Sequence, residues 1–182
     1  MEKNLKDIFF GDSMSKFICA IGISGCGKTT FGNFLKEEDP NLVIICPDDI
    51  REELTGDISD QSQNEKVWNI CHSRIMFNLQ KGNDVYLSAT NLSKDKLKYL
   101  FRLAKKSGAE IEVVAFEDSR DWKLCYRRVK KDIDNGVYRS NSLGNITVDD
   151  TEVPLIKQMS NRYISLMDSG FLESQNIKIT KI

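Results

Sequence analysis

The sequence predicts an α/β sandwich, a parallel sheet of four or five strands flanked by helices, and three observations lead there. Short runs rich in β-branched and aromatic residues are apolar on both faces, as strands covered on both sides must be. Longer amphipathic stretches alternate with them, the order expected of strand–helix–strand units. A glycine-rich turn joins the first strand to the first helix.

The elements follow in chain order. Residues 1–15 read as a leader, with Leu5, Ile8 and Phe9 forming one apolar stripe of a short surface helix. The domain then runs from 16 to 182. KFICAIG (16–22), NLVIIC (41–46), DVYLSA (84–89) and EIEVVAF (110–116) read as strands, and NIKIT (176–180) as a fifth. Residues 28–38 form the helix after the glycine-rich turn. Residues 62–81 carry Val67, Ile70, Cys71, Ile75, Phe77 and Leu79 near helical spacing and end at Gly82. Residues 94–107 carry Leu97, Leu100, Phe101 and Ala104 and end at Gly108, a residue suited to a left-handed helix cap. Further helices are expected over 119–134 and 152–168. The polar stretch 136–150 reads as a mobile lid that orders on nucleotide binding.

Composition narrows the function. A chain of 182 residues suits one domain. The net charge of −1 argues against a protein that coats long duplexes, while leaving room for one that grips a single end. Five cysteines, an odd number without a Cys-x-x-Cys pair, argue against a disulfide framework and a structural zinc site. They point to free thiols in a reducing compartment. No apolar run has the length of a membrane span, and the N-terminus lacks a signal peptide's apolar core. A cytoplasmic protein is expected.

The turn itself reads GISGCGKT, and Gly22, Gly27, Lys28 and Thr29 satisfy the phosphate-loop pattern G-x-x-x-x-G-K-[ST]. Glycines let the backbone curl round phosphate oxygens, so that inward N–H groups make an anion nest at a helix N-terminus. Gly25, Cys26, Gly27, Lys28, Thr29 and Thr30 are the expected ATP contacts, Cys26 through its backbone. Lys28 reaches the β- and γ-phosphates, and the Thr29 hydroxyl holds Mg²⁺. The chain therefore reads as a P-loop NTPase sandwich.

Ligands of such sheets lie beyond the carboxyl ends of the strands. The second strand runs into CPDDIREEL (46–54). Asp48 and Arg51 fit a carboxylate that takes the acceptor's proton and a cation beside the migrating phosphoryl. The alternative is structural, with Asp48 as a helix N-cap and Arg51 as its solvated ion-pair partner. His72, the single histidine, reads as a packed or acceptor-facing helix residue. Trp68 and Trp122 suit core packing or base stacking. Lys94, Lys96, Lys98, Arg102, Lys105 and Lys106 make one basic helix, either a solvated face or a path for a substrate backbone.

GISGCGKTTF, PDDIREELTGD, DQSQNEKVWNICHSRI, VYLSATNLSKDKLKYL and VPLIKQMSNRY occur in that order. The series resembles the P-loop kinase family of polynucleotide 5′-hydroxyl kinases, phage members included, to which zeta-toxin-type kinases are related. The resemblance covers about residues 16–168. It implies an ATP- and Mg²⁺-dependent kinase in which Asp48 is the general base. Arg51 contacts the scissile phosphate or the acceptor, and Thr90 and Asn91 line the acceptor site. A lid about 127–150 supplies an arginine, Arg128 before Arg127. The sequence departs from the family where Ser88-Ala89 precede Thr90-Asn91, since an aspartate is usual just ahead of that pair. Asp49 is the candidate substitute at the acceptor site. The aspartate-rich phosphatase motif of the phage members does not occur. The expected acceptor is a DNA or RNA 5′-hydroxyl. A nucleoside, nucleotide or nucleotide-sugar kinase is the alternative, and a nucleotide-binding regulatory module the third reading.

Overall fold

The computed structural model describes residues 14–137 and 143–182. Residues 1–13 of the expected leader and 138–142 of the expected lid lie outside them. The elements are β1 (Lys16–Ile21), α1 (Lys28–Glu38), β2 (Val43–Ile45), α2 (Pro47–Thr55), α3 (Asn64–Gln80), β3 (Val85–Leu87), α4 (Lys94–Lys106), β4 (Glu110–Ala115), a 3-10 turn (Glu117–Arg120), α5 (Trp122–Asp134), β5 (Asn145–Val148), β6 (Thr151–Pro154), α6 (Leu155–Met167) and β7 (Lys178–Lys181).

Five strands pair in parallel in the order β2-β3-β1-β4-β7. Parallel pairing makes every connection cross a face of the sheet, which buries the strands on both sides. The residues of β3 and most of β1 and β4 are accordingly buried. Because all five strands point the same way, the segments after β1, β2, β3 and β4 emerge at one edge. That edge holds the site.

The helices are placed by their apolar sides. Val67, Cys71, Ile75 and Leu79 form the buried side of α3, and Leu97, Leu100, Phe101 and Ala104 that of α4. α3 and α4 pack on each other, and α3 also covers β2 and β3 while α4 covers β4. On α1, Phe31 meets Tyr86 of β3 and Phe116 after β4, with ring centroids 6.1 and 5.8 Å apart. Gly108 ends α4 at φ 76°, the expected left-handed cap. Among the described residues no helix is long and apolar enough to cross a membrane.

Two readings need correction. The helix expected from 152 begins at Leu155, because Thr151–Pro154 pairs with Asn145–Val148 as an antiparallel hairpin. The residue before a proline is pushed out of the helical region, so Pro154 holds Val153 extended. The hairpin turns on Asp149 and Asp150, both left-handed at φ 48° and 58°, without the Asn-Gly signal that usually marks such a turn. Asp48 is not the N-cap of α2. That position is Cys46, Pro47 starts the helix, and Asp48 and Asp49 occupy its first turn, where carboxylates favour the helix dipole. The expected lid, about 127–150, includes the second half of α5 and residues 145–150 of the hairpin.

Gly32 is buried in α1, and a Cβ there would lie 2.6 Å from Cε1 of Tyr86. Glycine to alanine inside a helix normally stabilises by about 1 kcal/mol. Here overpacking of about 1–3 kcal/mol opposes it, so Gly32→Ala is expected to lower Tm. A melting curve at or above that of the parent protein would show that the ring yields instead.

Candidate active site

The loop after β1 is shaped by its backbone. Gly25 and Gly27 are left-handed at φ 79° and 104°. A Cβ on Gly25 would lie 2.5 Å from the Cys125 carbonyl oxygen of α5, so the loop can approach α5 this closely only as glycine. Gly27 is the N-cap of α1 and brings no side-chain hydrogen bond. The first N–H groups of α1 are thus left to face the cavity, the arrangement that binds anions at helix N-termini.

Neighbouring segments hold the loop from several sides. Gly22 N donates to Thr90 O at 3.1 Å. Ile23 N donates to the buried Ser119 Oγ at 3.1 Å. Tyr86 Oη donates to Lys28 O at 2.8 Å. Lys28 Nζ folds along the loop and donates to Ile23 O at 2.6 Å. Cys26 is 4% exposed, so its side chain packs inward and its backbone forms the loop.

One cavity of about 1110 Å³ follows the sheet edge. Gly25, Cys26, Gly27, Lys28, Thr29 and Thr30 line its floor, Asp48, Asp49 and Thr90 one end, and Asp118, Arg128 and Lys131 the other. Of the expected site residues, Gly25 to Thr30, Asp48, Asp49, Thr90 and Arg128 thus come together. Arg128 Nη1 donates to Asp118 Oδ2 at 2.6 Å and to Gly25 O at 3.4 Å. Arg127 is exposed on α5 and is not among the described lining. Adjacent helical residues point about 100° apart, which separates the two arginines.

Arg51 and Asn91 depart from expectation. Arg51 is 5% exposed, so it is no solvated partner, and the described lining of the cavity does not include it. Its Nη1 donates to Asp48 Oδ1 and to Ile58 O (3.4 Å for the latter), and its Nη2 to Asn64 Oδ1 at 3.3 Å. It holds Asp48 from behind and ties α2 to the start of α3. Its Nε is buried without a hydrogen-bond partner among the described residues. Asn91 is buried and left-handed at φ 51°. Its Nδ2 donates to Ala20 O at 2.8 Å, so it pins β1, and the described lining of the cavity does not include it. Thr90 alone of that pair reaches the cavity.

Sequence reasoning missed Asp118, Ser119 and Tyr86. The first two follow β4, and the rule that sites gather after strands marks them out. Tyr86 carries no such signal, since it sits within a strand. Cys46 lines the cavity near Asp48, but burial pushes its thiol up to about 11, so it stays protonated at neutral pH and is a poor nucleophile.

With this geometry in hand, the comparisons are as follows. A family profile described as an AAA domain matches residues 17–140. No curated protein matches the chain. One similar solved structure is in a Pnkp1/Rnl/Hen1 RNA repair complex, with a TM-score of 0.67 and 17% identity over 89% of this chain and 48% of that one. The chain thus spans about half the length of that relative. Another is a putative kinase from Chloroflexus aurantiacus, with a TM-score of 0.60 and 13% identity over 94% of this chain and 86% of that one. A third is the APS kinase CysC of Mycobacterium tuberculosis in complex with AMPPNP and APS, with a TM-score of 0.51 and 12% identity over 85% of this chain and 98% of that one. The likeness shows a P-loop NTPase α/β fold, as the sequence predicts.

The roles of Asn91 and Thr90 separate by stability. Asn91→Ala leaves the buried Ala20 carbonyl short of its donor, so unfolding in urea should show a loss of about 1–3 kcal/mol. Thr90→Ala should stay within about 0.5 kcal/mol of the parent. Equal losses would contradict this division of labour.

Proposed function

The chain belongs to the AAA domain family, and from that premise we propose that it is an ATP-dependent kinase whose acceptor is the 5′-hydroxyl of a DNA or RNA end. One observation carries the reading. A single cavity joins an uncapped helix N-terminus flanked by Lys28 and Arg128 to a carboxylate, Asp48, backed by a buried arginine. The first suits the phosphates of a nucleotide, and the second suits a hydroxyl that must lose a proton.

The loop N–H groups and Lys28 hold the β- and γ-phosphates. The acceptor oxygen attacks the γ-phosphorus in line, the bond to the β–γ bridging oxygen breaks, and ADP leaves. Asp48 orients the hydroxyl and takes its proton. Arg51 fixes the carboxylate and is a positioning residue. Arg128 leaves Asp118 and turns to the transferring phosphoryl as the cavity fills. Among the described residues no group of three His, Cys, Asp or Glu could hold a metal by itself. The Thr29 hydroxyl would help hold a magnesium ion, which would neutralise charge on the phosphates.

A second reading, a kinase of a nucleoside, nucleotide or nucleotide sugar, is favoured by Ser88 and Ala89, which leave no carboxylate just ahead of Thr90. The two readings part on one assay, transfer of labelled γ-phosphate from ATP to 5′-hydroxyl oligonucleotides, nucleosides and nucleotides. Oligonucleotides should be labelled, and Asp48→Asn should lower kcat by about 10²–10⁴-fold while a nucleotide-induced rise in Tm persists. Labelling of small acceptors alone would transfer the assignment to a metabolite kinase. Nucleotide binding without transfer would favour a regulatory module.

A further inference from the structure

Beside the Asp48 end of the cavity, α3 and α4 carry a ledge of aromatic rings outside the described lining. Asn64, Trp68 and His72 recur every four residues on α3, a spacing that stacks side chains into one ridge. The ridge starts behind the site, where Asn64 Oδ1 accepts from Arg51 Nη2 at 3.3 Å and Arg51 in turn bonds Asp48. The Trp68 and His72 ring centroids are 5.8 Å apart. Tyr99 of α4 continues the row, 4.7 Å from His72, and is 44% exposed. α4 itself begins just after Thr90 and Asn91. Lys96 Nζ lies over the Trp68 ring, 5.1 Å from its centroid.

Trp68 packs one side against the core, but His72 and Tyr99 are not part of it. Val67, Cys71, Ile75 and Leu79 already supply the buried side of α3, while Trp68 and His72 are half-buried at its rim. The surroundings favour one occupant. Lys94, Lys96 and Lys98 are exposed on the first turns of α4, and Asp95 pairs with Lys98 at 3.8 Å. Rings beside ammonium groups bind a chain of flat bases joined by phosphates. A duplex hides its base faces, and a small metabolite ends within the cavity.

We propose that Trp68, His72 and Tyr99, with Lys96, form a stacking platform for the leading bases of a single-stranded polynucleotide whose 5′-hydroxyl lies beside Asp48. This rests on the kinase reading for the position of the 5′ end. The terminal nucleotide sits at the mouth of the cavity, and the next bases leave along the ridge over the rings. Burial and the Lys96 charge hold His72 below the usual imidazole range, so its ring is neutral at neutral pH and offers a π face.

The chain contains two tryptophans, so Trp122→Phe leaves Trp68 as the sole indole. Titrating that protein with a 5′-hydroxyl oligonucleotide of about six nucleotides should quench its fluorescence. An abasic strand of the same length and charge should not. Trp68→Ala and Tyr99→Ala should each weaken oligonucleotide binding about tenfold, by a loss that shrinks as the acceptor is shortened to one nucleotide. Trp68→Phe keeps a ring face and should bind like the parent, which separates stacking from damage to the fold. Equal quenching by the abasic strand would overturn the platform in favour of phosphate contacts alone. Phosphate transfer to oligonucleotides without quenching would overturn the platform and leave the kinase reading standing. Quenching without transfer to any acceptor would keep the platform and remove the kinase reading.

Discussion

The approach of Gly25 to α5 is the constraint on which the site depends. With a Cβ 2.5 Å from the Cys125 carbonyl oxygen, no other residue would let the loop settle there without moving α5. That contact places Arg128, one turn further along the same helix, over the loop. Ser119 and Tyr86 then grip the loop from the end of β4 and from β3. The cradle is therefore a product of three strands and a helix. Its N–H groups are pre-aimed before any anion arrives, so binding need not meet the ordering cost of a flexible loop.

The Asp48 end of the cavity is organised differently. Its centre is a buried arginine whose guanidinium bonds Asp48, Ile58 O and Asn64. A buried charge is costly unless paired and hydrogen-bonded, so Arg51 ties together the first turn of α2, the following loop and the start of α3. The same hydrogen bonds that satisfy the charge also orient the Asp48 carboxylate. Asn64 shares in this, and the ring-bearing ridge of α3 begins with it. The orientation of Asp48 and the start of the α3 ridge are thus linked through one side chain. At the opposite end, Arg128 is held at an exposed ion pair with Asp118. Such a pair is weak in water, which leaves the arginine able to change partners.

Much of this was legible along the chain. The phosphate-loop pattern, the doubly apolar strands and the glycine after α4 are local signals, each set by the dihedrals or burial of a few neighbouring residues. They suffice for the sheet, the cradle and the position of Asp48 after a strand. The hairpin at 145–154 escaped because its turn uses Asp149 and Asp150 in place of the usual glycine, and because polar strands at a surface lack apolar runs. Asn91 was assigned to the acceptor by the family resemblance and Arg51 also by its place after a strand, and neither says which way a side chain turns.

That division has a physical cause. Strand and helix periodicity, turn residues and anion-binding glycines act over a few residues, so the sequence alone specified the P-loop sandwich and its phosphate end. Whether a polar side chain faces a cavity or a neighbouring element depends on contacts between segments far apart in the chain. Asn91 reaches β1 across 71 residues and Ser119 meets Ile23 across 96. The roles of Asn91, Arg51 and Ser119, and the meeting of Trp68 and His72 with Tyr99, were decided by packing, because only packing determines which groups are close enough to bond.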